Sequence, residues 1–155
     1  MLKLTKKADY GLIALRHLAI CPPEQTASAK EIAESYGVPL PLLAKVMQKL
    51  TRTGVLQSLP GTNGGYRLAR DPNQITALEV IRAIDGPIIL TSCFTDHRDC
   101  DHAERCTVRE PLRKIHESII LLLGAITIAD IARDDMAVPD GTRTARKGLI
   151  QLIHA

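Results

Sequence analysis

The stretch Pro60-Gly61-Thr62-Asn63-Gly64-Gly65 constrains this chain more than any other. It is rich in residues that tolerate positive φ. It separates two short runs, Val55 to Leu59 and Tyr66 to Ala69, and so predicts a hairpin with a glycine-rich tip. Three helical patterns precede it. From Thr5 to Ile20, Ala8, Leu12, Leu15 and Ala19 share a face, and Cys21-Pro22-Pro23 ends the run. Ser28 with Glu31 predicts a capping box for a second helix that buries Ala29, Ile32, Ala33 and Tyr36 and stops at Gly37. Pro41 suits the first turn of a third helix running to about Thr53. Its core stripe is Leu43, Val46, Met47 and Leu50; its other face carries Leu42, Lys45, Lys49 and Arg52. Helix, turn, basic helix and hairpin in that order predict a winged helix-turn-helix. Apolar residues make up 45% of the 155-residue chain and aromatics 3%, so the core is aliphatic and the fold class mainly α.

A fourth helix is expected from Thr76 to Ile84, with Leu78, Ile81 and Ile84 inward, ending at Asp85-Gly86-Pro87. Then comes Cys93-x6-Cys100-x5-Cys106. Three thiols cannot pair off among themselves, and the spacing matches neither the Cys-x2-Cys pairs of structural zinc sites nor ferredoxin runs. Thr107 and Glu110 predict another capping box. After it, Val108, Leu112, Ile115, Ile119, Leu122 and Ile126 form an a/d seam. A lone helix cannot bury that seam, so a symmetric homodimer is expected, as in helix-turn-helix proteins that read half-sites about 34 Å apart. The expected organisation is a DNA-binding head (1–86), a cysteine-rich loop (87–106), a long C-terminal dimerisation helix (107–131) and a tail (132–155) that docks or is disordered.

The net charge of +3 allows nucleic acid without requiring it; the clustering of Lys45, Lys49 and Arg52 on one helix is more telling. That helix is expected in the major groove of double-stranded DNA, at a pseudo-palindromic operator. Pro41 and Leu42 begin it, with Leu42 against a thymine methyl. Lys45 would reach guanine, and Lys49 and Arg52 phosphates. Ser28 would donate to phosphate beside its helix N-terminus, and Thr62, Asn63 and Gly64 would lay the wing tip on the backbone or minor groove. Asp9, Arg16 and His17 interrupt the N-terminal apolar stretch, which argues against a signal peptide. The run Ile119 to Ile126 is far short of the ~20 residues a membrane span needs. A cytoplasmic, reducing location is expected, leaving the thiols open to metal or redox chemistry. No strand–GxGxxG–helix motif and no nucleophile–base constellation is recognisable, so no enzyme is expected.

The start Leu4-Thr5-Lys6-Lys7-Ala8-Asp9-Tyr10-Gly11 is distinctive. So are the wing Gly61-x2-Gly64-Gly65-Tyr66-Arg67-Leu68, the cysteine loop and the ending Ile126-Thr127-Ile128-Ala129-Asp130. Together, over residues 1 to about 131, they resemble the Rrf-type family of bacterial transcription regulators, relatives of IscR, NsrR and RirA. Pro39-Leu40-Pro41, Leu90-Thr91-Ser92-Cys93 and Cys106-Thr107-Val108-Arg109 look most similar to the branch regulating the SUF iron–sulfur assembly system. The resemblance implies a homodimeric winged-helix repressor whose DNA affinity is controlled by an iron–sulfur cluster held by Cys93, Cys100 and Cys106. Iron or cluster status, redox or nitric oxide would be the signal, and iron–sulfur assembly or stress genes the target. Arg109 stands where the IscR pattern has a ligating histidine, and a cation cannot ligate iron. Asp9 matches the aspartate that the NsrR-like pattern supplies from the other subunit, so it is the expected fourth ligand. Pro60 stands where an arginine often precedes the wing glycine, which puts that minor-groove contact in doubt. A 2Fe–2S and a 4Fe–4S cluster stay equally open. In place of Asp9, His97, His102, Asp101 and Glu104 lie nearer in sequence as fourth cluster donors. The alternative is a zinc-stabilised or thiol-redox regulator without a cluster, in which zinc takes the three cysteines with His102 or Asp9.

Overall fold

A computed structural model describes residues 4–91, 94 and 103–133. Cys93, His97, Cys100, Asp101, His102 and the chain beyond Arg133 lie outside the described residues. The order is α1 (Lys6–Ile20), α2 (Ala29–Tyr36), α3 (Leu40–Arg52), β1 (Leu56–Leu59), β2 (Gly65–Leu68), α4 (Ala77–Asp85), α5 (Arg109–Ala125) and α6 (Ile128–Ala132), with short 3-10 turns at Pro72–Gln74 and Ala103–Arg105.

Local chemistry explains most boundaries. The Thr5 hydroxyl accepts from the Ala8 amide at 3.3 Å and starts α1. Ser28 and Glu31 form the expected capping box of α2, and Gly37 ends that helix at φ 62. Tyr36, expected inside, is 41% exposed. Its hydroxyl lies 3.1 Å from His17 Nδ1 of α1, and the two rings meet edge-on at 90°. Leu43, Val46, Met47 and Leu50 of α3 are all buried, as their spacing requires. The hairpin pairs Leu56 with Leu68 and Leu59 with Gly65 in antiparallel register. Gly65 sits at φ 151, with the Ala27 carbonyl 2.8 Å from where a Cβ would stand, so only glycine fits that backbone approach.

The core is aliphatic: Leu15, Ile32, Leu43, Met47, Leu50, Val55, Ile75, Val80 and Ile128 are its largest fully buried side chains. Ile128 comes from beyond the long helix. The expected continuous helix 107–131 is broken after Ala125, because Thr127 and Asp130 form a second capping box that starts α6 afresh. Main-chain bonds from Ala77 to Ile126 and from Ile128 to Ile75, both 2.8 Å, return the chain to the head. The capping box expected at Thr107 and Glu110 does not form. Helix α5 starts after Val108 without a side-chain cap. The Glu110 carboxylate instead pairs with the Arg113 guanidinium, which also holds Glu117. A charge-assisted pair one turn on outcompetes a neutral cap. The architecture is a mainly helical winged helix-turn-helix with a two-stranded wing and a long C-terminal helix.

Candidate nucleic-acid interface and cysteine loop

Successive helical residues rotate by about 100°, so the buried stripe of α3 fixes which residues face outward. Pro41, Lys45, Gln48 and Arg52 centre on the far side, and all four are exposed. Leu42, which is half-buried, and Lys49 fall on one flank of that side. Lys49 does not project with Lys45: its Nζ donates to the Ile84 carbonyl in the last turn of α4 at 2.7 Å. Gln48 carries no charge and so does not stand out among the cations of this helix in sequence. Its spacing of three from Lys45 and four from Arg52 was the available signal, and its amide suits bidentate contact with adenine. The first turn of α3 holds no acidic residue and its N-cap, Pro39, makes no side-chain bond. Its positive dipole end is therefore not offset by a local carboxylate.

The start of α2 differs. Ser28 Oγ accepts from the Glu31 amide at 3.1 Å, and the Glu31 carboxylate accepts from the Ser28 amide at 2.6 Å. The Ser28 amide and then its hydroxyl hold the Glu31 carboxyl below its ordinary pKa. Ser28 thus serves the cap, its amide and hydroxyl both engaged with Glu31 and a negative charge beside it. The wing tip stands next to it. Thr62 and Asn63 are exposed, and the Thr26 hydroxyl donates to the Asn63 carbonyl at 3.0 Å, bracing the tip against the segment before α2. Gly64 closes the tip: its amide bonds the Gly61 carbonyl at 3.0 Å, and a Cβ there would stand 2.2 Å from the Leu59 carbonyl oxygen. Arg67 reaches across the hairpin to Gln57 Oε1 at 3.1 Å.

The cysteine loop leaves the head at Gly86, whose φ of 88 favours glycine, and re-enters before α5. Cys106 is a free, half-buried thiol at that re-entry. Glu104, in the 3-10 turn just before it, is exposed. Asp9 is half-exposed in the first turn of α1. Among the described residues, no three His, Cys, Asp or Glu side chains gather in one place. Among the described residues, two buried polar atoms lack hydrogen-bond partners: Thr91 Oγ1, where the loop leaves the head, and His116 Nδ1, within α5. The His116 ring lies 5.3 Å from that of Phe94, the neighbour of Cys93.

No residue of α5 is fully buried. Ile115 is 50% and Leu121 73% exposed, while Leu112 and Ile119 are half-buried. Beside α5, a hollow of about 400 Å³ opens between Leu4, Ile81, Ile88, Ile119, Leu122 and Leu123. No helix among the described residues is long and apolar enough to cross a membrane.

Solved structures share this architecture. CymR (YrzC), described as the global cysteine regulator of B. subtilis, is 30% identical and superposes with a TM-score of 0.70 over 85% of this chain and 97% of its own. IscR of T. potens is 31% identical, with a TM-score of 0.68 over 86% and 88%. A Listeria innocua structure at 29% identity reaches a TM-score of 0.72 over 90% and 93%. The B. subtilis and Listeria neighbours are described as regulators. The model of the Rrf2 family, described as iron-dependent transcriptional regulators, matches residues 4–134. With that match spanning the head, the wing, the cysteine loop and the long helix, the chain belongs to the Rrf2 family of DNA-binding transcription regulators.

Proposed function

We propose that this chain is a cytoplasmic, homodimeric repressor whose grip on a pseudo-palindromic operator is set by an iron–sulfur cluster. Iron or cluster status, redox or nitric oxide would be the signal, and iron–sulfur assembly or stress genes the target. The observation that carries this reading is the place of the cysteine segment. It leaves from the end of α4, which packs on the reading helix, and returns at the start of α5, whose apolar seam one chain leaves only partly covered. A loop rooted in both can report its state to the DNA face and the dimer at once.

The residues present suit a cluster in donor chemistry. Cys106 is an unpaired thiol at the loop exit, thiolates hold iron well, and unused hydrogen-bonding capacity remains at Thr91 and His116. Cys93, Cys100 and Cys106 would hold it, with Asp9 of the partner subunit as the fourth donor. When bound, a 2Fe–2S or 4Fe–4S cluster supplies an iron centre open to oxidants and nitric oxide. An oxygen donor is weaker than a thiolate toward such iron, so Asp9 marks the exchangeable corner. It also ties α1 of one protomer to the loop of the other, giving the signal a two-state element to bias.

In this reading residues 1–86 are the DNA-binding head, 87–106 the sensing loop and α5 the dimer helix, with α6 packed back on α1. Pro41, Leu42, Lys45 and Gln48 lie toward base edges. Arg52, the Ser28 hydroxyl, Thr62, Asn63 and Gly64 lie toward the backbone. Anaerobic purification, with the visible spectrum and iron and sulfide assays, tests the proposal. A brown protein with matched iron and sulfide that bleaches with nitric oxide is expected. A colourless protein with zinc or no metal after anaerobic reconstitution overturns the cluster and leaves a zinc or thiol switch on the same DNA-binding head.

A further inference from the structure

Lys49 looks in sequence like one more phosphate-binding cation, and the structure gives it another partner. Its Nζ donates to the Ile84 carbonyl at 2.7 Å, a part-buried bond made by a side chain that is otherwise exposed. That carbonyl belongs to the last turn of α4, where backbone acceptors lack helical partners and the dipole end is negative. The ammonium therefore caps one helix from another.

The next residues make this turn a junction. The Asp85 carboxylate accepts from the Thr5 hydroxyl at 2.6 Å and from the Thr5 amide at 3.3 Å, which anchors the start of α1. Gly86, at φ 88, then turns the chain into the cysteine loop. Ile84 packs so closely on α1 that a Cβ on Gly11 would stand 2.3 Å from Ile84 Cδ1 and 3.3 Å from Val46 Cγ1 of α3. The end of α4, the start of α1, the reading helix and the root of the loop thus meet within a few residues.

We propose that Lys49 is a positioning residue that straps the reading helix to the root of the cysteine loop, and that it makes no phosphate contact. This rests on the reading that α3 carries the DNA contacts. Movement of the loop root shifts the Ile84 carbonyl, and the strap passes that shift to α3, changing how Lys45 and Gln48 meet base edges.

Two measurements test it. Amine acylation with an N-hydroxysuccinimide ester, read by mass spectrometry on the full-length protein without DNA, should label Lys45 quickly and Lys49 slowly. Equal labelling overturns the strap. The second measurement is the salt dependence of binding to a mixed-sequence duplex. Each phosphate contact contributes about 0.9 to the log–log slope. Arg52→Met should lower the slope by about that amount, and Lys49→Met should leave it as in wild type. Preference for a duplex selected from a random pool over the mixed sequence should fall roughly two- to thirtyfold in Lys49→Met, the range for residues that transmit coupling. Lys49→Arg, which keeps a donor, should restore it. A Lys49→Met slope that falls like that of Arg52→Met overturns the proposal, and so does an unchanged preference. If Arg52→Met also leaves the slope unchanged, it is the DNA reading of α3 that fails, and the acylation result still decides the strap. It likewise decides alone if Lys49→Met does not fold.

Discussion

Thr76 and Thr127 face each other across an isolated antiparallel bridge, and each caps the helix that follows it. Helices α4 and α6 therefore start from one point, on either side of the segment that carries the cysteine loop and α5. The excursion 87–126 begins and ends on the same fixed head. The bridge is why Ile128 and Ala129 are buried with residues from the N-terminal half of the chain.

Thr127→Ala removes the side chain that accepts from the Asp130 amide at 3.1 Å. Loss of such a cap costs about 1 kcal/mol, which corresponds to a melting temperature lower by about 2–4 °C for a chain of this size. Differential scanning calorimetry checks this, and a drop below 1 °C would mean that packing of Ile128 alone holds α6.

Gly64→Ala and Gly65→Ala each force a Cβ against backbone, the Leu59 carbonyl at 2.2 Å and the Ala27 carbonyl at 2.8 Å. The wing should distort while the helical core survives. The expected result is at least tenfold weaker DNA binding, about 1.4 kcal/mol, with helical circular dichroism retained.

Lys45→Ala should relax base preference, whereas Arg52→Ala should weaken binding to all sequences alike. Gln48→Ala should behave as Lys45→Ala does. Titrations on selected and mixed duplexes separate the two classes, and equal losses on both duplexes for all three variants would refute this division of labour.

Ile115→Asp and Leu122→Asp place charges on the α5 seam that one chain leaves exposed. If two copies cover that seam, each variant should elute as a monomer and unfold at lower temperature, because a buried unpaired carboxylate is costly. Sedimentation equilibrium gives the answer directly, and wild type sedimenting as a monomer would refute the dimer itself.

Acid stability should report the capping boxes. The Glu31 carboxyl is held below its ordinary 4.5 by the Ser28 amide and hydroxyl. Asp130 is held below its ordinary 3.8 by the Thr127 hydroxyl and amide. A depressed folded pKa means that the unfolded chain binds the proton more readily. The contribution is therefore complete above the ordinary value and disappears as pH falls through the depressed one. Glu31→Gln keeps the acceptor and does not titrate, so its stability should fall less steeply than that of wild type below about pH 4.5. Denaturant melts at stepped pH show the difference, and parallel curves would exclude it.

How much of this was legible differs by element. The α2 cap, the α3 stripe and the hairpin were readable because their signals lie within a few residues: Ser28 with Glu31, Leu43 with Met47, Gly64 with Gly65. Tyr36 was misjudged because helical spacing alone does not say how far a face is covered. The Thr107 cap failed because Arg113 claims the Glu110 carboxylate. Cys93 and Cys100 remain known through sequence and family alone.

The sequence by itself determined the element order as far as α4, the aliphatic core, the wing and the presence of three thiols between α4 and α5, since each follows from neighbours along the chain. Only the tertiary structure decided that α6 returns to the head and that the ammonium of Lys49, 35 residues from Ile84, bonds the end of α4. The physical reason is that a cation on the flank of a helix takes whichever partner packing brings to it, and that partner is set by contacts no local pattern encodes.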